Sequence, residues 1–321
     1  MDNVRGPATT PATIGDMEER LVDLARARGG LVTVPEAARL GVSPQRLNRL
    51  RVSGVLVHVR RGAYALSETW SNAHETQRYA LRTRAVLRTR RGVAASHHAA
   101  LTLAGVPTWG VSLDRIDVVE VTGTTTRVRG KAGLFVHPRP PALEPVTDDL
   151  GDPSVRVPTA LLQVARDTSA LAFAASLDQA LRAGVTTTGE VGAALRLADQ
   201  RARWVRQAGE LLAAADPLSP CVEATRLRIL LTDMGFQPRR RVPVRLGDGE
   251  DLLRPELFIG ASVAVSRTAY PQSERDRLRA VGVTLAVVAD SDLDHPDRVA
   301  ASIAAAMREL DAIRVGRARG A

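Results

Sequence analysis

The chain has 321 residues, a formal net charge of +9 and a pI near 10.9. That length admits two or three domains with full cores. Its one cysteine, Cys221, excludes an intramolecular disulfide and any cysteine-based zinc cluster. No apolar run approaches the roughly 18 residues of a membrane span, and the opening MDNVRGPATTPATIGD lacks the apolar centre of a signal peptide. A cytoplasmic protein with no membrane partner is expected. Lys131 is the only lysine among the 44 basic residues. A GC-rich genome accounts for the choice of arginine but not for the surplus of charge. Arginine pairs bidentately with phosphate and guanine, so nucleic acid is the first partner to consider. Aromatics make up 3% of the chain, too few for base-stacking platforms, so duplex DNA is the better substrate.

After a Pro/Thr tail, residues 1–15, a helix is expected over Asp16–Arg28 with Met17, Leu21 and Leu24 at helical spacing and Asp16 as cap. Thr33 as cap, Pro35 in the first turn and Gly41 as stop define a second helix. A third runs from Ser43 (cap) and Pro44 to about Val52, with Leu47 and Leu50 inward and Gln45, Asn48 and Arg49 outward. VLVHVRRGAYAL then reads as a hairpin turning at Arg61-Gly62.

Three short helices and a hairpin over 16–70 make a winged helix-turn-helix. Between Ala37 and Ser67 lie six arginines and no acid. Gln45, Arg46, Asn48, Arg49 and Arg51 suit a major groove, and Arg60 and Arg61 suit phosphate or the neighbouring minor groove. A solvated helix in a protein-binding winged helix is the competing reading. The stretch GGLVTVPEAARLGVSPQRLNRLRVSGVLVHVRRGAYAL, above all its Arg-Arg-Gly-x-Tyr wing, resembles the N-terminal domain of AbiEi-family antitoxins. The resemblance implies a transcriptional autorepressor of a toxin–antitoxin pair, with a nucleotidyltransferase-like toxin as partner.

Residues 71–215 read as a mixed α/β middle domain. His74–Arg91 is an arginine-rich helix, and Thr76–Leu113 contains no acid. Arg78, Arg82, Arg84 and Arg88 either extend the DNA footprint along the backbone or face solvent on a linker helix. Ser96 looks like a cap to a short helix opening with His97 and His98. Adjacent helical positions diverge by about 100°, and the spacing of His97, His98 and His137 fits no metal motif, so a structural role and no metal or other cofactor are expected. Strands follow at RIDVVEVTG, with Asp117 and Glu120 facing solvent, and, after a Thr-rich turn, at GLFVHPRP. From Pro158 the chain turns helical, with Ser169 as a cap, Gly184 as a stop and further helices near Thr188–Leu197 and Asp199–Ala215. No Ser-His-Asp grouping can be assembled. This region is similar to the middle of actinobacterial AbiEi-like proteins, which implies a structural, partner-binding platform.

Residues 216–311 begin with a helix capped at Ser219-Pro220 and ended by Gly235. RRRVPVRL, the turn GDGED and two apolar runs, Leu252–Ile259 and Ala261–Val265, come next. A basic helix, Ser273–Val281, and a strand, Val283–Ala289, complete a helix–β–β–β–α–β–α order. The segment resembles Vsr-like restriction-endonuclease-type domains. Such sites need two or more carboxylates to hold Mg²⁺ and activate water. Here Glu223 sits one position out of register, Glu256 replaces the strand Asp, and Ser266 and Thr268 stand where the third strand needs its acidic pair. Arg267 between them cannot act as a base. Glu274 and Asp276 on the next helix are remote substitutes, and Arg275, Arg277 and Arg279 either touch DNA backbone or face solvent. A basic tail, 312–321, ends the chain.

The expected architecture is thus α+β and multidomain: a winged helix, a mixed α/β middle and a degenerate endonuclease-like α/β core. The expected function is duplex-DNA recognition by an antitoxin-type repressor, catalytically inactive, whose rear domains support homo-oligomerisation or toxin capture. The alternative is a metal-dependent DNA endonuclease with an atypical site. A structural module whose arginines face solvent is the third class.

Overall fold

The structure, a computed structural model, describes residues 14–123, 126–140, 143–246 and 252–320. The expected tail over 1–13, the centre of the Thr-rich turn and the turn at GDGED lie outside the described residues. Two compact units emerge: residues up to 176 with 183–213, and 177–182 with those from 214 onward.

The first unit opens with α1 (Ile14–Ala27), β1 (Leu31–Thr33), α2 (Val34–Arg39), α3 (Pro44–Val52), β2 (Leu56–Arg60) and β3 (Ala63–Leu66). Because α1 begins at Ile14, Asp16 falls in its first turn and is not the cap. Thr33 caps α2 in a reciprocal capping box with Glu36. Ser43 caps α3, its hydroxyl accepting from the Arg46 N–H at 3.2 Å. The helices bury Leu21, Ala25, Ala37, Leu47 and Leu50 against Val32, Leu56 and Leu66. Each such leucine contributes about 1.5–3 kcal/mol. Strand β1, too short for a period-2 signal, pairs with β3 in a sheet ordered β1-β3-β2.

Next come α4 (Ser67–Asn72) and α5 (Glu75–Thr89), the latter capped by His74 and resting Ala85 on Leu31, Ala63 and Ala65 of the hairpin sheet. The rest of this unit holds β4 (Val93–Ala95), α6 (His97–Leu103), β5 (Ile116–Glu120), β6 (Arg129–Lys131), β7 (Leu134–His137), β8 (Val146–Thr147), β9 (Pro153–Ser154) and α7 (Val157–Asp167). After it come α8 (Ala170–Arg182), whose end belongs to the second unit, α9 (Thr188–Arg196) and α10 (Arg203–Ala213). Helix α10 starts later than the expected Asp199, whose carboxylate accepts instead from the Arg201 N–H. A six-stranded sheet, ordered β6-β7-β5-β4-β9-β8, puts β5 inside. Both faces of β5 are covered, so Val118 and Val119 are each buried and Asp117 is buried with them. This corrects the expectation that Asp117 faces solvent, since alternation reports exposure only where one face is wet.

The second unit contains α11 (Val222–Asp233), β10 (Arg239–Arg240), β11 (Val244–Arg245), β12 (Leu252–Leu253), β13 (Leu257–Ile259), β14 (Val263–Ser266), α12 (Gln272–Ala280), β15 (Thr284–Val287) and α13 (Pro296–Gly320). Its main sheet is ordered β10-β13-β14-β15, antiparallel except for the parallel pair β14–β15. Leu257, Ile259, Val263 and Val265 pack with α11 and α13, while Phe258, Ala264 and Leu285 pack with Leu278 of α12. The strict alternation along β13 and β14 thus serves two apolar layers. Ser219 does not cap α11, which starts two residues beyond Pro220; its hydroxyl bonds the Cys221 carbonyl and Thr225. Buried Asp178 on the end of α8 accepts from Asp216 N–H, Thr225 Oγ1 and Arg228 Nη2 at 2.7–2.8 Å. Helix α13 continues through residues expected as a basic tail. No described helix is long and apolar enough to cross a membrane.

Candidate nucleic-acid interface

Helix α3 turns Leu47 and Leu50 into the core, and the 3.6-residue period leaves Gln45, Asn48, Arg49 and Arg51 exposed. These side chains differ in readiness. Arg49 makes no ion pair or side-chain hydrogen bond among the described residues. Arg51 donates twice to Asn48 Oδ1, at 3.1 and 3.0 Å, so the two face a ligand as one preorganised pair. Arg46 is half-buried and ion-paired with Glu18 of α1, which ties the helix to its scaffold.

The wing turns at Gly62, whose φ of +87° is costly for a side chain with a Cβ. Arg61 is exposed at the turn and Arg60 is half-buried beside it. Burial, and then repulsion from Arg90, lower the pKa of the Arg60 guanidinium. A cleft of about 640 Å³ opens beside the wing, walled by Arg28, Arg39, Arg60, Arg61, Arg88 and Arg91, with Glu36 the one acid on its wall. Arg28 faces Glu36 at 3.4 Å. Arg60, Arg61 and Arg91 have no partner among the described residues, so the cleft carries uncompensated positive charge that an anionic backbone would neutralise.

The second arginine set behaves differently. Arg78 donates to the Trp70 and Ser71 carbonyls and covers the Trp70 ring. Arg82 donates to the Leu113 carbonyl at 2.7 Å and pairs with Asp114. Arg84 bridges Asp148 and Asp152, and Arg88 grips Asp152 through two nitrogens while donating to the Arg28 carbonyl. These arginines, expected either to touch DNA backbone or to face solvent, instead donate to protein acceptors 7 to 68 residues away. Arg91, at the end of the same stretch, lines the cleft with Arg88 and, unlike it, has no partner among the described residues.

In the second unit, Arg267 donates Nε to Glu256 Oε2 at 3.0 Å and Nη1 to Asp290 Oδ1 at 2.9 Å. Burial would lower its pKa, but these two carboxylates outweigh that and raise it. Ser266 is buried and bonds Thr268 at 3.3 Å, and Glu223 lies in the first turn of α11. Arg267 thus holds two carboxylates of this unit, Glu256 and Asp290, and the hydroxyls of Ser266 and Thr268 are poor Mg²⁺ ligands. Glu274 and Asp276 lie on α12, where Asp276 pairs with Arg279.

The histidines bring a grouping that spacing did not reveal. His97 Nε2 meets Asp167 Oδ2 at 2.8 Å, and His137 Nε2 meets Asp117 Oδ1 at 2.6 Å. Burial lowers the pKa of His97 despite the Asp167 hydrogen bond. Burial, and then repulsion from His97, lower the pKa of His98 to about 4. Asp117 stays below the ordinary carboxylate range: burial opposes this, but bonds from His137 and Arg115 prevail. Only the parity of Asp117 on an internal strand, paired in register with Phe135 two residues before His137, could have signalled it.

The geometry of residues 16–70 is that of a helix-turn-helix with a β-hairpin wing. Residues 19–67 match the family model for "Transcriptional regulator, AbiEi antitoxin", which supports an AbiEi-like regulator domain there. Among solved structures, the chain is similar to the crystal structure of the RV2827C protein from Mycobacterium tuberculosis, at 18% identity over 65% of this chain and 80% of that one. The TM-score is 0.38, too low to carry a structural argument. No curated protein matches the chain.

Proposed function

We propose that this protein is a duplex-DNA-binding, antitoxin-type transcriptional autorepressor whose C-terminal unit is a catalytically inactive endonuclease-like domain. The observation that carries the reading is the exposed set Gln45, Asn48, Arg49 and Arg51 on α3 beside a wing whose Arg60 and Arg61 have no partner among the described residues. Gln45, or Asn48 presented by Arg51, reads adenine, Arg49 reads guanine, and the wing with Arg91 and Arg39 holds phosphates. The AbiEi match over 19–67 supports the regulator role, and with it a nucleotidyltransferase-like toxin as partner. Inactivity of the rear unit is supported by Arg267 binding both Glu256 and Asp290.

The test is fluorescence anisotropy on the duplex upstream of its own gene, against a scrambled duplex, over a salt series. Preference for the cognate duplex and a salt slope of roughly −0.9 per phosphate contact are expected. Arg49→Ala should weaken cognate binding by about 1–3 kcal/mol and relax specificity. Equal, weak binding to both duplexes would refute an operator reader. Mg²⁺-dependent nicking abolished by Glu256→Ala would refute inactivity.

A further inference from the structure

The DNA-binding reading leaves unused a polar knot in the first unit, buried except at Asp167. Four stretches supply it: His97 at the start of α6, Asp117 on β5, His137 on β7 and Asp167 at the end of α7. The two imidazoles lie with centroids 4.3 Å apart, tilted by 35°. One donor atom from each of His97, His137 and Asp167 lies within 4.8 Å of the other two.

Two further observations point to a missing ligand. His137 Nδ1 is buried and has no hydrogen-bond partner among the described residues, its side chain being 6% exposed. An orphaned buried nitrogen is costly and uncommon in a folded protein. His97 adopts φ +50°, the left-handed region, which a residue with a Cβ holds only where its surroundings demand it.

The surroundings have the form of an outer coordination sphere. His137 Nε2 is held by Asp117, itself gripped by Arg115 at 2.8–3.0 Å, and His97 Nδ1 lies 3.0 Å from Ser96 Oγ. Asp167 is oriented by Arg166 through bonds of 2.8 and 2.7 Å. Metal-binding imidazoles are typically fixed in this way through their second nitrogen.

We propose that His97, His137 and Asp167 form a binding site for one divalent transition-metal ion of the zinc class, with water completing the shell. Two imidazoles and one carboxylate suit zinc far better than magnesium or calcium. Metal–ligand distances near 2.0–2.2 Å give a tetrahedron with edges of about 3.3 Å. His97 Nε2 and Asp167 Oδ2, now hydrogen-bonded at 2.8 Å, lie somewhat closer than such an edge and would part slightly, losing the proton between them, as the ion entered. His137 supplies its free Nδ1. Arg115 and Arg166 oppose the added positive charge and weaken binding relative to a site without them. The bound ion cross-links β7 to the helices α6 and α7, all within the first unit.

The experiment is calorimetric titration of ZnCl₂ into the untagged, EDTA-stripped full-length chain, with CoCl₂ as a spectroscopic second probe. One equivalent of zinc, and visible cobalt bands of a low-coordinate nitrogen–oxygen site, are expected. His137→Gln and Asp167→Asn should each lower zinc affinity at least tenfold, with tryptophan fluorescence checking that they remain folded. Asp167 is partly exposed, so Asp167→Asn keeps the test decisive should His137→Gln misfold. Replacing the exposed His58 and His295 by Asn should leave binding unchanged. Substoichiometric binding by the wild type, or full binding in Asp167→Asn, would overturn the site.

Discussion

Replacing Asp152 by Asn tests whether Arg84 and Arg88 serve the fold. Asp152 is 1% exposed and accepts from Arg84 Nη1 at 2.5 Å and from Arg88 Nε and Nη2 at 2.8 and 2.7 Å. The amide keeps the shape but removes the charge and turns one acceptor into a donor facing a guanidinium. Breaking a buried ion pair from one side costs about 3–5 kcal/mol. Arg84 retains Asp148, which lowers the expectation, whereas Arg88, 6% exposed, keeps only the Arg28 carbonyl. A loss of about 3 kcal/mol follows. Urea unfolding followed by tryptophan fluorescence measures it selectively, because Trp70, Trp109 and Trp204 all lie in the first unit. The midpoint should fall with little change in slope. A shift worth less than about 1 kcal/mol, the range of an exposed pair, would refute the reasoning and return both arginines to the pool of backbone contacts. The same network has an acid signature. Burial raises the Asp148 pKa, but the Asp152 N–H and Arg84 outweigh it and hold the carboxyl below its ordinary value. Its stabilisation is therefore complete above the unfolded value, near pH 4, and fades as pH falls through the lower folded value.

Asp178→Ala strands Arg228, 9% exposed, in the second unit, and a loss of about 3–5 kcal/mol there should appear as hydrogen exchange in α11. A Cβ at position 62 meets no atom closer than Thr89 Cγ2 at 3.5 Å, so Gly62→Ala costs the backbone's strain alone, about 1–2 kcal/mol; duplex affinity should fall more than that if the wing binds DNA. Arg267→Met should destabilise the second unit by only about 1 kcal/mol, since Glu256 and Asp290 both reach solvent; a larger drop in urea midpoint by far-UV circular dichroism would contradict this.

What the sequence made legible was local. Thr33 with Glu36, and Ser43 with Pro44, are signals that the chain answers within three residues, and both helices start where those signals put them. The Arg61-Gly62 turn is equally local, set by a backbone only glycine adopts cheaply. Legibility failed where the deciding partner was distant. Nothing near Arg84 or Arg88 announces Asp148 and Asp152, more than 60 residues on, so an acid-free arginine helix read as a surface. Asp117 looked solvent-facing because its strand was read as half-wet, whereas both faces of β5 are buried. Asp117 and His137 come together through the parallel pairing of β5 with β7. The winged helix, assembled from short-range contacts, was readable; the polar knot and the buried arginine network, assembled by sheet topology, were not.

Arg267 has one further consequence. An ion held by carboxylates stabilises a fold in proportion to its free concentration and leaves when a chelator competes for it. A guanidinium on β14's own chain has no such dissociation step: it is a tethered counter-ion, present at one equivalent in every folded molecule. The second unit's Glu256–Asp290 corner should therefore be indifferent to the magnesium concentration, and its folding uncoupled from changes in it.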